Sequence, residues 1–183
     1  MQKQGPKCSF ELCKIPLMVE GMVRFATGGR FGEVYKVTNL ADSGAGSLRD
    51  VVSQPKRIVV FDVGGVINMK SRVVVSKMVH IDGQTAPSDS WRASGKDAIT
   101  IAEGARMIFD HVSVSWGRDE TLSISGTAAN VTVQGTLIAQ GLEMHSCGGL
   151  MGTDGGISPF RNLCVDNNTR NPKVKGANDL KNN

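Results

Sequence analysis

"MIFDHVSVS" (107–115) is echoed by "VTVQGTLIA" (131–139), 24 residues further on, and again by "SPFRNLCVD" (158–166), 27 residues after that. Each copy is a short run rich in Val, Ile and Leu, broken near its middle by a residue pair suited to a turn. A strand-bearing period within about 20–50 residues is the mark of a solenoid, in which every repeat stacks on the last. No helical segment falls inside the period. The pattern therefore predicts a parallel β-helix, with one coil per repeat.

Reading outward, the same signature recurs in "RIVVFDVGG" (57–65), "RVVVSKMVHIDG" (72–83) and "DAITIAEG" (97–104). Each segment is β-branched and closed by Gly, Asn or Asp, as strands bounded by turns are. Upstream, "ATGGRFGEVYKVTNL" (26–40) puts a Gly-rich turn before an alternating strand at Val34, Tyr35 and Val37. It has no phosphate-cradling pattern. "DSGAGSLRDVV" (42–52) reads as a turn and a short helix, with Ser47 as its N-cap and Asp50 three residues on. A jelly roll or sandwich is the competing architecture. It would require two-residue hairpin turns, and "DG" at 82–83 and 154–155 offers only two.

The 183 residues suffice for one domain with a core, 40% of them hydrophobic and 5% aromatic. A net charge of +4 leans toward a polyanionic partner. The basic residues are nonetheless scattered and not interleaved with aromatics, which speaks against nucleic acid. No apolar run approaches the length of a membrane span. The first 22 residues lack the unbroken apolar stretch of a secretory signal, and residues 1–20 read as an irregular leader. Cys8, Cys13, Cys147 and Cys164 form no zinc-like spacing, and their pairing cannot be read from sequence.

Taken in order, "ATGGRFGEVYKVTNLADSGAGSLRDVV", "RIVVFDVGG", "DGQTAP", "FDHVSVSWGRDETLSI" and "TRNPKVKG" resemble the pectate lyases of polysaccharide lyase family 1, over roughly residues 22–176. The resemblance implies an all-β, right-handed, single-stranded parallel β-helix over residues 21–183. It further implies an extracellular, monomeric enzyme that cleaves homogalacturonan (pectate) by calcium-assisted β-elimination. By the family's motifs, Asp110 and Asp119 fall at calcium-ligand positions, and Glu120 or Ser123 would complete the shell. Calcium takes six to eight oxygens in adaptable geometry, so carboxylates from a strand and the following turn suit it. Arg170 matches the arginine that removes the C5 proton of galacturonate. Lys175 and Lys173 would grip substrate carboxylates, and His145 is a candidate subsite residue.

The chain departs from the family in several places. Ser123 stands where many members carry a further acid, and Cys147 near the place of a substrate-binding lysine. Cys147 has no basic partner that would make it a nucleophile. About one coil is missing between "DGQTAPSDS" and "GKDAITI", and the last coils are expected to be absent beyond "NDLKNN". A catalytically inactive pectin-binding solenoid, or an unrelated polyanion-binding β-protein, therefore stand beside the lyase as alternatives.

Overall fold

The computed structural model describes residues 26–86, 91–93 (backbone only), 97–142, 146–176 and 178–180. Three parallel sheets run along it. The first contains β1 (Glu33–Val37), β2 (Arg57–Phe61), β5 (Val79–Asp82), β8 (Ala105–Asp110), β11 (Ala129–Gln134) and β14 (Gly155–Phe160). The second contains β3 (Ile67–Met69), β6 (Trp91–Ala93), β9 (Ser113–Ser115), β12 (Leu137–Ala139) and β15 (Leu163–Val165). The third contains β4 (Val73–Val74), β7 (Ile99–Ile101), β10 (Glu120–Ile124), β13 (Cys147–Met151) and β16 (Lys173–Val174). The chain visits the sheets in rotation, so β2 to β16 make five coils of three strands. This is the β-helix that the repeats predict.

Like side chains stack on like from coil to coil, because each strand pairs with the strand at the same place in the next coil. Val59, Ile81, Phe109 and Val133 form one interior column of the first sheet. Ile101, Ile124 and Met151 form another in the third. All seven are buried in one core cluster. Met107 pairs with Val131, as the first echo implies, but Val131 pairs with Ile157 rather than Ser158. The second echo is thus one residue out of frame. Side chains alternate between faces, so the frame read from sequence would turn Ser158 into the core in place of Ile157.

Between β1 and β2, the helix α1 (Leu48–Val52) turns Leu48, Val51 and Val52 onto the core. Ser47 caps it as expected: its hydroxyl accepts from the Asp50 amide at 3.3 Å. The corner out of the first sheet is made in each of the last three coils by a residue with positive φ: His111 (50°), Gly135 (56°) and Arg161 (52°). Gly135 has a second reason to be glycine. A Cβ there would stand 2.8 Å from the His111 ring, which packs over it.

His80 lies on the opposite face of β5 from the core residues Val79 and Ile81, yet it is fully buried. The loop at Gly28 closes over it, so that a Cβ on Gly28 would stand 2.9 Å from the His80 Cβ. Among the described residues, neither ring nitrogen has a hydrogen-bond partner. Burial pushes the imidazole down to about 4; Asp110 opposes that shift and Arg30 adds to it. The folded chain therefore keeps His80 neutral down to about pH 4, whereas the unfolded chain protonates it from about 6.5. Its contribution is intact above 6.5 and is lost as pH falls toward 4, by about 3 kcal/mol at most. Burial raises the carboxyls of Asp82 and Asp97, which work in the opposite direction. Urea unfolding of wild type and His80→Leu at pH 7 and pH 4.5 isolates the histidine. Wild type is expected to lose more stability than the variant between the two, and equal losses would refute the assignment.

Candidate functional site

The third sheet gathers the acidic residues at the start of its strands. Leu122 pairs with Ile99, and this register carries Glu120 alongside Asp97 of the preceding coil. The Glu120 amide donates to Asp97 Oδ1 at 3.3 Å, and the Ala98 amide donates back to the Glu120 carbonyl at 3.2 Å. Asp119 is next to Glu120 in the chain. Carboxylate oxygens of Asp97, Asp119 and Glu120 lie within 4.8 Å of one another. Burial raises the Asp97 carboxyl and Asp119 raises it further, while Thr100, donating to Asp97 Oδ2 at 2.8 Å, counteracts both.

One coil on, Glu120 pairs with Cys147, which bridges to Thr169. Arg170 follows, its backbone held in the left-handed region at φ 59°. Its carbonyl accepts from the Gly149 amide at 2.7 Å, and the Thr169 carbonyl from the Gly148 amide at 2.9 Å. This anchoring aims the guanidinium back along the sheet, where Nη1 contacts Glu120 Oε1. Asp97, then Asp119 and Glu120 one coil on, then Arg170 two coils further, thus lie along the same sheet, and the Arg170 side chain reaches back across the Cys147 coil. The arrangement holds three oxygen anions beside one fixed cationic group.

Ser123 belongs to a different row. Val74, Thr100, Ser123, Leu150 and Lys173 are register partners along one face of the third sheet. Lys173 is exposed at the far end of this row, and Lys175 is exposed two residues on. His145 lies outside the described residues. Cys147 is buried, and burial together with Asp119 and Asp97 pushes its thiol up, which fits a structural role. Among the described residues, Cys147 and Cys164 form no disulfide.

Asp110 is not in the acidic group. It closes β8 at the corner between the first and second sheets, beside its register partner Asp82. There its Oδ1 stands 2.5 Å from His111 Nδ1, and the Gln84 side-chain amide is 2.7 Å from the same nitrogen. Asp97 escaped the sequence reading. The available signal was the echo of "DETLSI" (119–124) in "DAITI" (97–101), one coil earlier.

The donor set suits a hard divalent cation: Asp97, Asp119 and Glu120 are all oxygen ligands, clustered and only partly exposed. Among the described residues no helix is long and apolar enough to cross a membrane.

No protein-family model matches the chain. Several curated fungal proteins do. "Probable pectate lyase C" of Emericella nidulans is 62% identical, covering 90% of this chain and 45% of its own length. The proteins of the same name from Aspergillus terreus and Aspergillus flavus are 61% and 60% identical, each with 46% of its length covered. The chain therefore spans about half the length of these relatives. Each match runs over 191 positions, more than the 183 residues of the chain, so the relatives carry residues within the matched stretch that this chain lacks. A solved structure, the crystal structure of Jun a 1, the major allergen from cedar pollen, aligns at a TM-score of 0.49 with 15% identity, over 79% of this chain and 62% of that one. With some 60% identity sustained over nine-tenths of its residues, the chain is a shorter homologue of the proteins named probable pectate lyase C.

Proposed function

We propose that this chain carries a calcium-assisted site for β-elimination in homogalacturonan, working as a single extracellular chain. The observation that supports it is the meeting of Arg170 with Glu120, beside Asp97 and Asp119, in a chain so close to probable pectate lyases. Asp97, Asp119 and Glu120 would hold the calcium, and Asp110, turned to His111 at another corner, would not. When bound, calcium neutralises charge on the galacturonate carboxylate and so acidifies the C5 proton beside it.

The remaining work falls to the protein's own groups. Lys173 and Lys175, exposed along the last coil, take further carboxylates of the polymer, and His145 contributes to a subsite. Arg170 directs its guanidinium at the C5 hydrogen. As that proton leaves, its electron pair forms the C4–C5 double bond and the C4–O bond breaks, with the leaving oxygen gaining a proton. A guanidinium is protonated at ordinary pH. Arg170 therefore serves as a base at alkaline pH or stabilises the anionic intermediate while hydroxide takes the proton.

Absorbance of the 4,5-unsaturated uronide tests this, with polygalacturonate at alkaline pH. A rise with added calcium that chelator abolishes is the expected result. No rise from cooperatively folded protein would sink the catalytic reading. It would leave the second one, a pectin-binding solenoid without turnover. That reading is favoured by Ser123 and the buried Cys147, at positions where the family resemblance expects an acid and a lysine.

A further inference from the structure

We infer that Arg170 is an internal competitor for the cation site: Glu120 is shared between them, and cation binding is what frees Arg170 toward substrate. The inference rests on the calcium reading above. Glu120 is 9% exposed and belongs both to the acidic group and to the pair with Arg170. A carboxylate so shielded is costly to leave without a counter-charge. Without a cation, Arg170 supplies that charge. A divalent cation seated on Asp97, Asp119 and Glu120 brings a stronger charge to the same oxygens and repels the guanidinium.

The backbone makes this exchange a two-position device. Hydrogen bonds from Gly148 and Gly149 pin Thr169 and Arg170, so the main chain cannot retreat. The side chain alone has to swing, from the carboxylates toward the face that carries Lys173 and Lys175. Arg170 is 28% exposed, which leaves it an open side to move into. Glu120 is then a positioning residue. It parks Arg170 while the site is empty and releases it when the cation arrives, so a charged, mobile guanidinium appears only where the cation is already bound. Because linkage is reciprocal, whatever Arg170 takes from cation affinity, the cation takes from the Arg170–Glu120 pair.

Calorimetric titration of the full chain with calcium chloride, without polysaccharide, tests the competition. Wild type is compared with Arg170→Ala, Arg170→Gln, Glu120→Gln and the Glu120→Gln/Arg170→Ala double variant. Removing the guanidinium is expected to tighten calcium binding about tenfold, within the usual range of coupling between sites. In the Glu120→Gln background the same removal should change affinity by less than about twofold, since the shared group is gone. Unchanged or weaker binding in both Arg170 variants, with the unfolding midpoint preserved, would overturn the competition while leaving the calcium site standing. Absence of calcium binding by every one of these folded proteins would remove the calcium site and this inference together. Binding by Arg170→Ala but not by wild type would be the competition at full strength.

Discussion

Arg170→Ala is expected to lower the rate of unsaturated product formation by about 10²–10⁴-fold at saturating calcium, the range for losing a positioned proton-transfer or charge-stabilising group. The fold should survive, because what holds this turn is main chain: Arg170 contributes its carbonyl to the Gly149 amide, and alanine keeps that carbonyl. Arg170→Lys separates the two roles of the side chain. Lysine keeps the charge but not the planar fork that meets a carboxylate squarely, so partial activity would point to charge stabilisation. Initial rates at several calcium concentrations are the measurement. A loss smaller than threefold would show that Arg170 takes no part in the chemistry. If the competition for Glu120 holds, Arg170→Ala will bind calcium more tightly while turning over far more slowly, a combination that simple damage to the site would not produce.

Phe109→Ala is expected to lower the free energy of unfolding by about 3–5 kcal/mol. Phe109 is 1% exposed and stands in an interior column between Ile81 and Val133. Neighbours above and below are held in register by their own strands, so they cannot close over the space left behind. Domains of this kind are stable by only about 5–15 kcal/mol, so the loss is a large share of the total. Urea unfolding should show a lower midpoint with an unchanged slope. Phe109→Leu, which refills much of the volume, should cost less than about 1.5 kcal/mol. A cost below 1 kcal/mol for the alanine variant would mean that this column is not where the core is packed.

The solenoid was legible because a stacked coil repeats its demands. Residues 107, 131 and 157 face the same interior, so each has to be apolar, and a period emerges from packing alone. The Ser47 cap was legible for a similar reason, since hydroxyl and receiving amide are three residues apart. The candidate site was legible in part. Arg170, Asp119 and Glu120 came from local motifs, and the structure brings Glu120 against Arg170 and both acids beside Asp97. Asp97 carried no motif of its own, and Asp110 closes a different corner of the coil from Asp119 and Glu120, because which groups meet is set by distances between coils.

Local alternation and turn chemistry determined, from the sequence by itself, the strands and the coil repeat, while the quoted motifs carried the resemblance to pectate lyases. Only the tertiary structure decided the register between coils. That register puts Ile157 rather than Ser158 into the core, and it carries Asp97 alongside Glu120. It also shows that His80, on the outer side of its strand, is buried beneath the loop at Gly28. The burial of His80 comes from a contact between distant segments of the chain, whereas the first two share one physical reason. Side chains alternate every residue along a strand, so a one-residue slip between neighbouring coils leaves the pattern within each coil intact yet reverses which groups meet.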